Sequence, residues 1–578
     1  MRINDVEKIT GLTQKAIRLY ESRGLVKISR DENGYRNYTN DNVEQFKEIK
    51  LFRSIGISIA DIKLYLYGVL RLDEMLDKRK SEILKESGLN SESYRICERL
   101  SKSMDVRSLN STEILTENEE AHSAELGRLS VGIDIGTTTV SAVVYDLDKG
   151  EQLEAYALPH NSYTRSNQYS EQSAAIILEK AEKLLSHILQ CYPGVISIGL
   201  TGQMHGIVYI DAKGEPCGNL INWQDKRGDA PMENGETICD RIRRITGERV
   251  ATGYGIATHA YNLQYGLVPS NAVGFCSIMD LFGVRICNLQ RATTHTSVAA
   301  SLGLFDLKSG KFMTDKLARL GIENSLLPAV TGEAKIIGRC KDIPVCVAIG
   351  DNQASFLGSI GSNEDSLLVN IGTGSQISAV SDYRELGGDV ELRPFVEGKY
   401  LICGSALCGG YAYSMVEQFF RSYLSACGLG EESQYKTLNQ LALDAYERDD
   451  ACLDVDVSFF GKRSDPERRG SILGIGRQNF TPAALTLGVL KGMCRELYEL
   501  YTTFDKKKEH IVASGGAVKN NPLLRRLIAE QFDMTLSTDT VHEEAATGAA
   551  LFSAFAVGAI AYEDGFGDYV RLKQGEAT

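Results

Sequence analysis

Two short stretches of the chain repeat one arrangement of glycine and hydroxyl residues. Asp134-Ile135-Gly136-Thr137-Thr138-Thr139 aligns with Asn370-Ile371-Gly372-Thr373-Gly374-Ser375, 236 residues further on. Each is flanked by apolar runs and reads as strand, turn, strand. The glycines let backbone amides approach phosphate oxygens and the hydroxyls add donors, so the chemistry indicated is polyphosphate binding. Between them, Gly350-Asp351-Asn352 follows the apolar run Val345 to Ile349. From that turn Asp351 can face a cleft, or it can cap the following helix.

A repeat at this distance implies two lobes of like α/β construction that must bring the turns together. The chain has 578 residues, too many for one core of about 150. Apolar residues make up 43% and charged residues 24%, a globular composition that excludes global disorder. The formal net charge is −13, which taken whole argues against nucleic-acid or membrane-surface binding. Residues 1–68 nevertheless carry 12 Lys/Arg against 9 Asp/Glu, so a mildly basic head precedes an acidic body. The 13 cysteines include no Cys-x-x-Cys, and the nearest pairs are Cys340–Cys346 and Cys403–Cys408. That pattern argues against a zinc site and for a reduced, cytoplasmic protein. Met1 to Val6 lacks a signal-peptide core. The apolar stretch Thr547 to Tyr562 falls short of the roughly 20 residues a membrane span needs, and reads as a closely packed buried helix.

The head has its own pattern. Ile3 to Thr10 is amphipathic, Gly11-Leu12-Thr13 is a turn, and Thr13 caps a second helix, Gln14 to Ser22, ended by Gly24. Asn33-Gly34 between Ile28-Ser29-Arg30 and Tyr35-Arg36-Asn37-Tyr38 predicts a tight hairpin. Thr39 or Asn40 caps a third helix to about Ile55, and Ser58-Ile59-Ala60-Asp61 starts a fourth. Ala16 to Leu25 with Asn33 to Tyr38, continued by Ile55 to Ile62, resembles the MerR-type winged helix of bacterial transcription regulators. The resemblance implies DNA binding by residues 1–68, with Arg18 reaching base edges or phosphates and Lys15, Arg30 and Arg36 on the backbone flanks. Tyr20 and Tyr38 are further candidates for DNA contact. Residues 69–130 read as a helical spacer or dimerisation segment followed by a polar linker, 110–130. The spacer's apolar positions are Leu70, Leu72, Leu76, Ile83, Leu84 and Leu100, interrupted at Gly88-Leu89-Asn90-Ser91. A homodimer is expected, as in such regulators.

Residues 131–562 resemble the FGGY carbohydrate kinases, of duplicated actin-like, RNase H-like fold. The resemblance rests on the two turns, on Thr201-Gly202-Gln203-Met204-His205-Gly206, on Asn222-Trp223-Gln224-Asp225-Lys226-Arg227, on Ile349 to Ala354 and on Ala513 to Pro522. It implies a first lobe over 131–366, binding sugar and phosphate, and a second over 367–578, binding nucleotide. It also implies ATP and Mg²⁺ as cofactors. Asp351 becomes the general base and Asp134 a ligand to Mg²⁺ through water. Thr137, Thr138, Gly372, Thr373 and Gly374 hold the triphosphate, while Gly515, Gly516, Ala517 and Asn520 meet the adenosine, with Gly409 and Gly410 weaker nucleotide candidates. Gln203, Met204, His205, Trp223, Asp225, Arg227 and Asn352 line the sugar pocket. Gln-Met-His-Gly is shared with xylulokinase-like members, whereas 223–227 and Gly253 to Thr258 are more similar to sedoheptulokinase-like ones, so the acceptor expected is a ketose, preferably of seven carbons. One departure stands out: His259 to Tyr265 lacks the Lys and Trp many members carry there.

Three functions follow from these patterns. One is an ATP-dependent ketose kinase with a DNA-binding regulatory head, and a second is a transcription regulator that keeps the kinase body as a sugar or nucleotide sensor. In the third the head docks a protein or dimerises without DNA. Intact Asp134, Asp351 and both turns favour the first, since a sensor needs no base.

Overall fold

The computed structural model describes residues 1–30, 36–86, 97, 127–164, 169–361, 363–372, 374–383, 385–386, 389–462, 465, 467–504, 506–539, 542–561 and 572–574. The hairpin tip Asn33-Gly34, the interruption at 88–91, Leu100, residues 110–126 of the linker and Thr373 lie outside these. The chain divides into two compact units, residues 1–121 with 428–433, and residues 122–427 with 434–578.

In the first unit, helices Ile3–Thr10 and Gln14–Ser22 are joined through Gly11, and the Thr13 hydroxyl accepts the Ala16 amide at 3.2 Å as cap. Ser29–Arg30 pairs antiparallel with Arg36–Asn37, the two flanks of the expected hairpin. Helix Asn40–Ser54 is capped by Thr39 and helix Ile59–Leu66 by Ser58, each hydroxyl accepting the amide three residues on. Leu70 is buried just before helix Leu72–Glu86 and Met75, Leu76 and Ile83 along it, and the helix is tied to the preceding ones by Lys78–Asp61 at 2.7 Å and by Arg79 donating to the Ile55 carbonyl. Of the spacer's apolar positions, Leu70, Leu76 and Ile83 are thus buried and Leu72 is half-buried.

The second unit carries two large sheets of related topology, beside several two-stranded ones. The six-stranded sheet runs Ile336–Cys340, Ile343–Cys346, Val195–Gly202, Leu129–Ile135, Thr139–Asp146, Glu151–Pro159. The seven-stranded sheet runs Val390–Pro394, Tyr400–Ala406, Ser375–Ser381, Ser366–Ile371, His510–Ser514, Thr535–Asp539, Leu572–Gln574. In each, the first strand forms a hairpin with the next, a further antiparallel strand (Glu151–Pro159 in one, Tyr400–Ala406 in the other) extends that hairpin, and a later strand (Val195–Gly202 or His510–Ser514) lies parallel to the first on its other side. The register makes the duplication concrete: Asp134 lies beside Thr201 as Asn370 lies beside Ser514. The first strand begins at Leu129, so the linker ends before residue 130. The Ser130 hydroxyl is buried against Ser197, Ser553 and the Ala550 carbonyl, which is why a polar residue sits inside a strand.

Helices Asp351–Ile360 and Glu544–Ala556 cross between the sheets and share one core with both. A Cβ on Gly358 would lie 2.0 Å from the Glu544 carbonyl oxygen, and one on Gly548 1.8 Å from that of Ala354. Gly132 and Gly199 allow the same approach between the second helix and the first sheet, at 1.8 Å each. The apolar stretch from Thr547 is therefore a buried helix, as expected. Among the described residues no helix is long and apolar enough to cross a membrane, and no cluster of His, Cys, Asp and Glu is arranged to hold a metal ion. All thirteen cysteines are free.

Candidate active site

Asp134 is the penultimate residue of the strand Leu129–Ile135, and Asp351 is the first residue of its helix, where Gly350 holds the cap position and no side chain makes a capping bond. Its position is fixed from three sides. The Thr201 hydroxyl donates to the Ile349 carbonyl at 2.8 Å, the Gly350 amide donates to Ser297 Oγ at 3.0 Å, and Met204 packs on Gly350. Burial, then the neighbouring carboxylates of Asp351 and Glu543, push the Asp134 carboxyl up to about 7. Burial also raises Asp351, against the pull of the Arg393 guanidinium and the Asn352 amide. Asp351 Oδ1 accepts both the backbone amide (2.6 Å) and the side-chain amide (3.1 Å) of Asn352. Oδ2 accepts no hydrogen bond from a described residue. The Asn352 side-chain amide is thus donated to Asp351.

The first turn is built into a buried amide network. Gln172 donates to the Thr137 carbonyl at 2.8 Å and accepts from Gln203 at 3.1 Å and Asn222 at 3.3 Å, while Gln203 also donates to the Gly136 carbonyl. Trp223, 46% exposed, donates from Nε1 to Thr137 Oγ1 at 3.0 Å. His205 sits at φ +73°, its Nδ1 against the Ser301 carbonyl, and stacks on Tyr254 with ring centroids 4.4 Å apart. Gln203, Met204, His205 and Trp223 are therefore gathered beside the first turn and Asp351.

Asp225 and Arg227 are not presented in that way. They pair with each other at 2.8 Å, Arg227 also bonds Glu171 and Asn262 and lies over the Tyr169 ring, and Asp225 accepts the Ser170 amide. Both are buried, because a guanidinium removed from water must have its donors satisfied by protein. Hydroxyl binding by this pair is corrected to an internal ion-pair cluster. His259, in the departing segment, is a core residue: it shares a 2.9 Å contact with Tyr209, and burial lowers its pKa to about 4.

The second turn is open. Gly372 and Gly374 are exposed, and the Gly410 amide donates to the Gly372 carbonyl at 3.1 Å. Gly515 has φ +93°, and a Cβ there would lie 2.5 Å from the Ile371 carbonyl oxygen, so a left-handed glycine lets this loop close on the turn. Gly409, Gly410, Gly515 and Ala517 converge there. Gly516 has nothing within 4 Å of where its Cβ would be, and Asn520 is exposed at the end of its short helix.

The FGGY N-terminal domain model matches residues 129–358 and the C-terminal domain model residues 369–557. The chain belongs to the FGGY family of carbohydrate kinases. Members use ATP, typically with a divalent metal, to phosphorylate sugars. Sedoheptulokinase from Mus musculus is 26% identical over 475 residues, covering 73% of this chain and 96% of that protein. Xylulose kinase from Staphylococcus xylosus is 25% identical, covering 73% and 90%. Among solved structures, a ligand-bound xylulose kinase from Lactobacillus acidophilus superposes with a TM-score of 0.66 at 21% identity, covering 77% of this chain and 92% of that one. Plasmodium falciparum glycerol kinase with ADP gives 0.62 at 18%, covering 75% and 91%. The two-lobed FGGY kinase fold is shared with both. Residues 1–68 match the MerR HTH family of regulatory proteins.

In that head, Lys15 and Arg18 are exposed on helix Gln14–Ser22, and Arg30 is exposed on its strand. Arg36 is held by Glu21 at 2.7 Å. Tyr20 and Tyr38 are 8% and 2% exposed, so their expected DNA contact is corrected: both rings fill the head's core. Sequence reasoning missed Gln172, Tyr254, Glu543 and Arg393. Only Glu543 carried a structural signal of strain, as a non-glycine at φ +61°.

Proposed function

We propose that this FGGY kinase transfers the γ-phosphoryl group of ATP to a neutral ketose, sedoheptulose-like in length, and that its head, residues 1–68, binds an operator. The supporting observation is Asp351: Asn352 occupies Oδ1, Oδ2 accepts no hydrogen bond from a described residue, and the carboxyl of Asp134 and the guanidinium of Arg393 are its charged neighbours.

In this reading Asp351 Oδ2 receives the proton of the attacking hydroxyl. The Asn352 amide and the Arg393 charge favour its carboxylate form against burial. Thr137, Thr138, Gly372 and Gly374 orient the polyphosphate, with Thr373 completing the second turn. Gly410, Gly515, Gly516, Ala517 and Asn520 meet the nucleoside, where the open face of Gly516 leaves room for a flat ring. Gln203, Met204, His205 and Trp223 hold the acceptor. Asp134 fits a Mg²⁺ site: it is a buried carboxyl beside two further carboxylates, and a hard divalent cation would offset their repulsion. When bound, the ion neutralises charge on the transferred group.

For the head, Lys15, Arg18 and Arg30 supply the exposed cations, and a homodimer places two heads on two half-sites. Residues 69–130 would link head to body, in a reduced cytoplasmic protein.

The test is ADP release from MgATP across sedoheptulose, xylulose, glycerol and gluconate. Turnover with a ketose, lost in Asp351→Asn with nucleotide binding retained, supports the reading. Absence of turnover with every acceptor defeats the enzymatic part. Binding of residues 1–68 within the intact chain to its own upstream DNA, weakening as salt rises, supports the regulatory part.

A further inference from the structure

Arg393 lies on Val390–Pro394, the edge strand of the second sheet. Along it Val390, Leu392 and Pro394 point into the core while Glu391 and Arg393 share the other face. The Pro394 carbonyl accepts the buried Gln353 side-chain amide at 2.8 Å, which pins this strand to the first turn of the helix headed by Asp351. The strand also packs on helix Thr296–Leu302, whose Ser297 and Ser301 hold Gly350 and His205. Glu391 Oε2 holds Arg393 through Nε (3.2 Å) and Nη2 (2.9 Å). Nη1 makes no hydrogen bond to any described residue, although the side chain is only 16% exposed.

We propose that Arg393 is an acceptor-binding residue that sets specificity, with Nη1 donating to a hydroxyl of a neutral ketose next to the one presented to Asp351. This rests on the ketose-kinase reading above. The guanidinium interacts electrostatically with both Asp351 and Tyr254, whose ring stacks on His205, so it lies beside the general base and the residues read as holding the acceptor. Tyr254 and His205 come from one lobe and Arg393 from the other, so an acceptor bound between them touches both. The local charge also selects. Among the described residues, the carboxyl groups of Asp351, Asp134, Glu543 and Glu391 stand against the Arg393 guanidinium, which is itself paired with Glu391, so a hydroxyl is favoured there over a carboxylate.

The experiment is steady-state kinetics of the full chain, Arg393→Met and Arg393→Lys with sedoheptulose, xylulose and gluconate, alongside ADP titration followed by Trp223 fluorescence. Loss of a charge-assisted hydrogen bond raises the ketose KM by about 10- to 100-fold in Arg393→Met. The expected pattern is a smaller fall in kcat, partial recovery in Arg393→Lys, unchanged ADP binding, and no turnover of gluconate by any form. An unchanged ketose KM in Arg393→Met, with or without a fall in kcat, overturns the inference while leaving the kinase reading intact. So does preferred use of gluconate by the wild type. Absence of ketose turnover in the wild type overturns the ketose reading and this inference with it.

Discussion

Trp223 Nε1 and Thr137 Oγ1 are joined at 3.0 Å, so the chain's only tryptophan is fastened to the first phosphate turn while half its surface faces solvent. Any ligand that engages the Thr137 hydroxyl competes with this bond and changes the polarity around the indole. Titration with MgADP is therefore expected to shift or quench the intrinsic fluorescence at 295 nm excitation (about 295 nm by the chemistry of indole absorption). Trp223→Phe removes the signal, and a titration in which the wild-type emission stays constant contradicts the placement.

Gln172 carries the network behind that turn. Gln172→Leu leaves the Thr137 carbonyl and the Gln203 and Asn222 amides without a shared partner. A buried unsatisfied group costs about 1–3 kcal/mol, so denaturant unfolding should show a loss of that order. KM for ATP should rise with it, because the turn loses its support. A variant with full stability and unchanged KM would show that water replaces the amide at no cost.

The crossing of helices Asp351–Ile360 and Glu544–Ala556 predicts an asymmetric pair of substitutions. Gly548→Ala puts a Cβ 1.8 Å from a backbone oxygen, which no rotamer change relieves, and should cost about 3 kcal/mol or more. Gly558→Ala has space but a left-handed backbone, so its cost stays near about 1 kcal/mol. Thermal melts of the two variants check the order.

What the sequence made legible follows from the kind of signal each residue leaves. The two turns were readable because glycine and hydroxyl residues recur between apolar runs at matched positions, and Asp351 because a buried run ends in it. Gln172 leaves no such trace: it sits in a two-residue strand, and its partners Thr137, Gln203 and Asn222 are 31 to 50 positions away. Arg393 reads as ordinary alternation on an edge strand until Pro394 is seen tied to Gln353. Asp225 and Arg227 look like ligand groups in sequence because nothing there reveals that Glu171, Asn262 and Tyr169 already satisfy them. Aromatic residues in the head were equally ambiguous, since a tyrosine suits a core or a groove.

Asp280 offers a pH dependence independent of catalysis. It is buried at the start of helix Ile278–Ile286, accepts from Ser277 Oγ at 2.8 Å, and burial pushes its carboxyl up to about 7. The unfolded chain releases this proton near pH 4, whereas the folded one keeps it to about 7. Stability from this group is thus fully present below pH 4 and is lost as pH rises toward 7, by about 1.4 kcal/mol per unit. Asp280→Asn lacks this loss. Its stability relative to wild type should climb from pH 5 to 7 and level off above; a flat difference in urea unfolding would contradict a neutral Asp280.

In the head, exposure separates residues that the sequence grouped together. Lys15 and Arg18 stand free of the core on helix Gln14–Ser22, whereas Arg36 is neutralised by Glu21 and Tyr38 is buried with its hydroxyl lacking a hydrogen-bond partner among the described residues. If the operator is gripped through phosphates, Lys15→Ala and Arg18→Ala each lower the slope of log affinity against log salt by about 1. Arg36→Ala lowers it less, because removing an already paired charge releases fewer counterions. Tyr38→Phe should leave DNA affinity unchanged and stabilise the head by up to about 1 kcal/mol, since it removes an unsatisfied buried hydroxyl. Loss of DNA binding in a stably folded Tyr38→Phe would return that ring to the interface, so a titration of this variant discriminates a core role from a contact role.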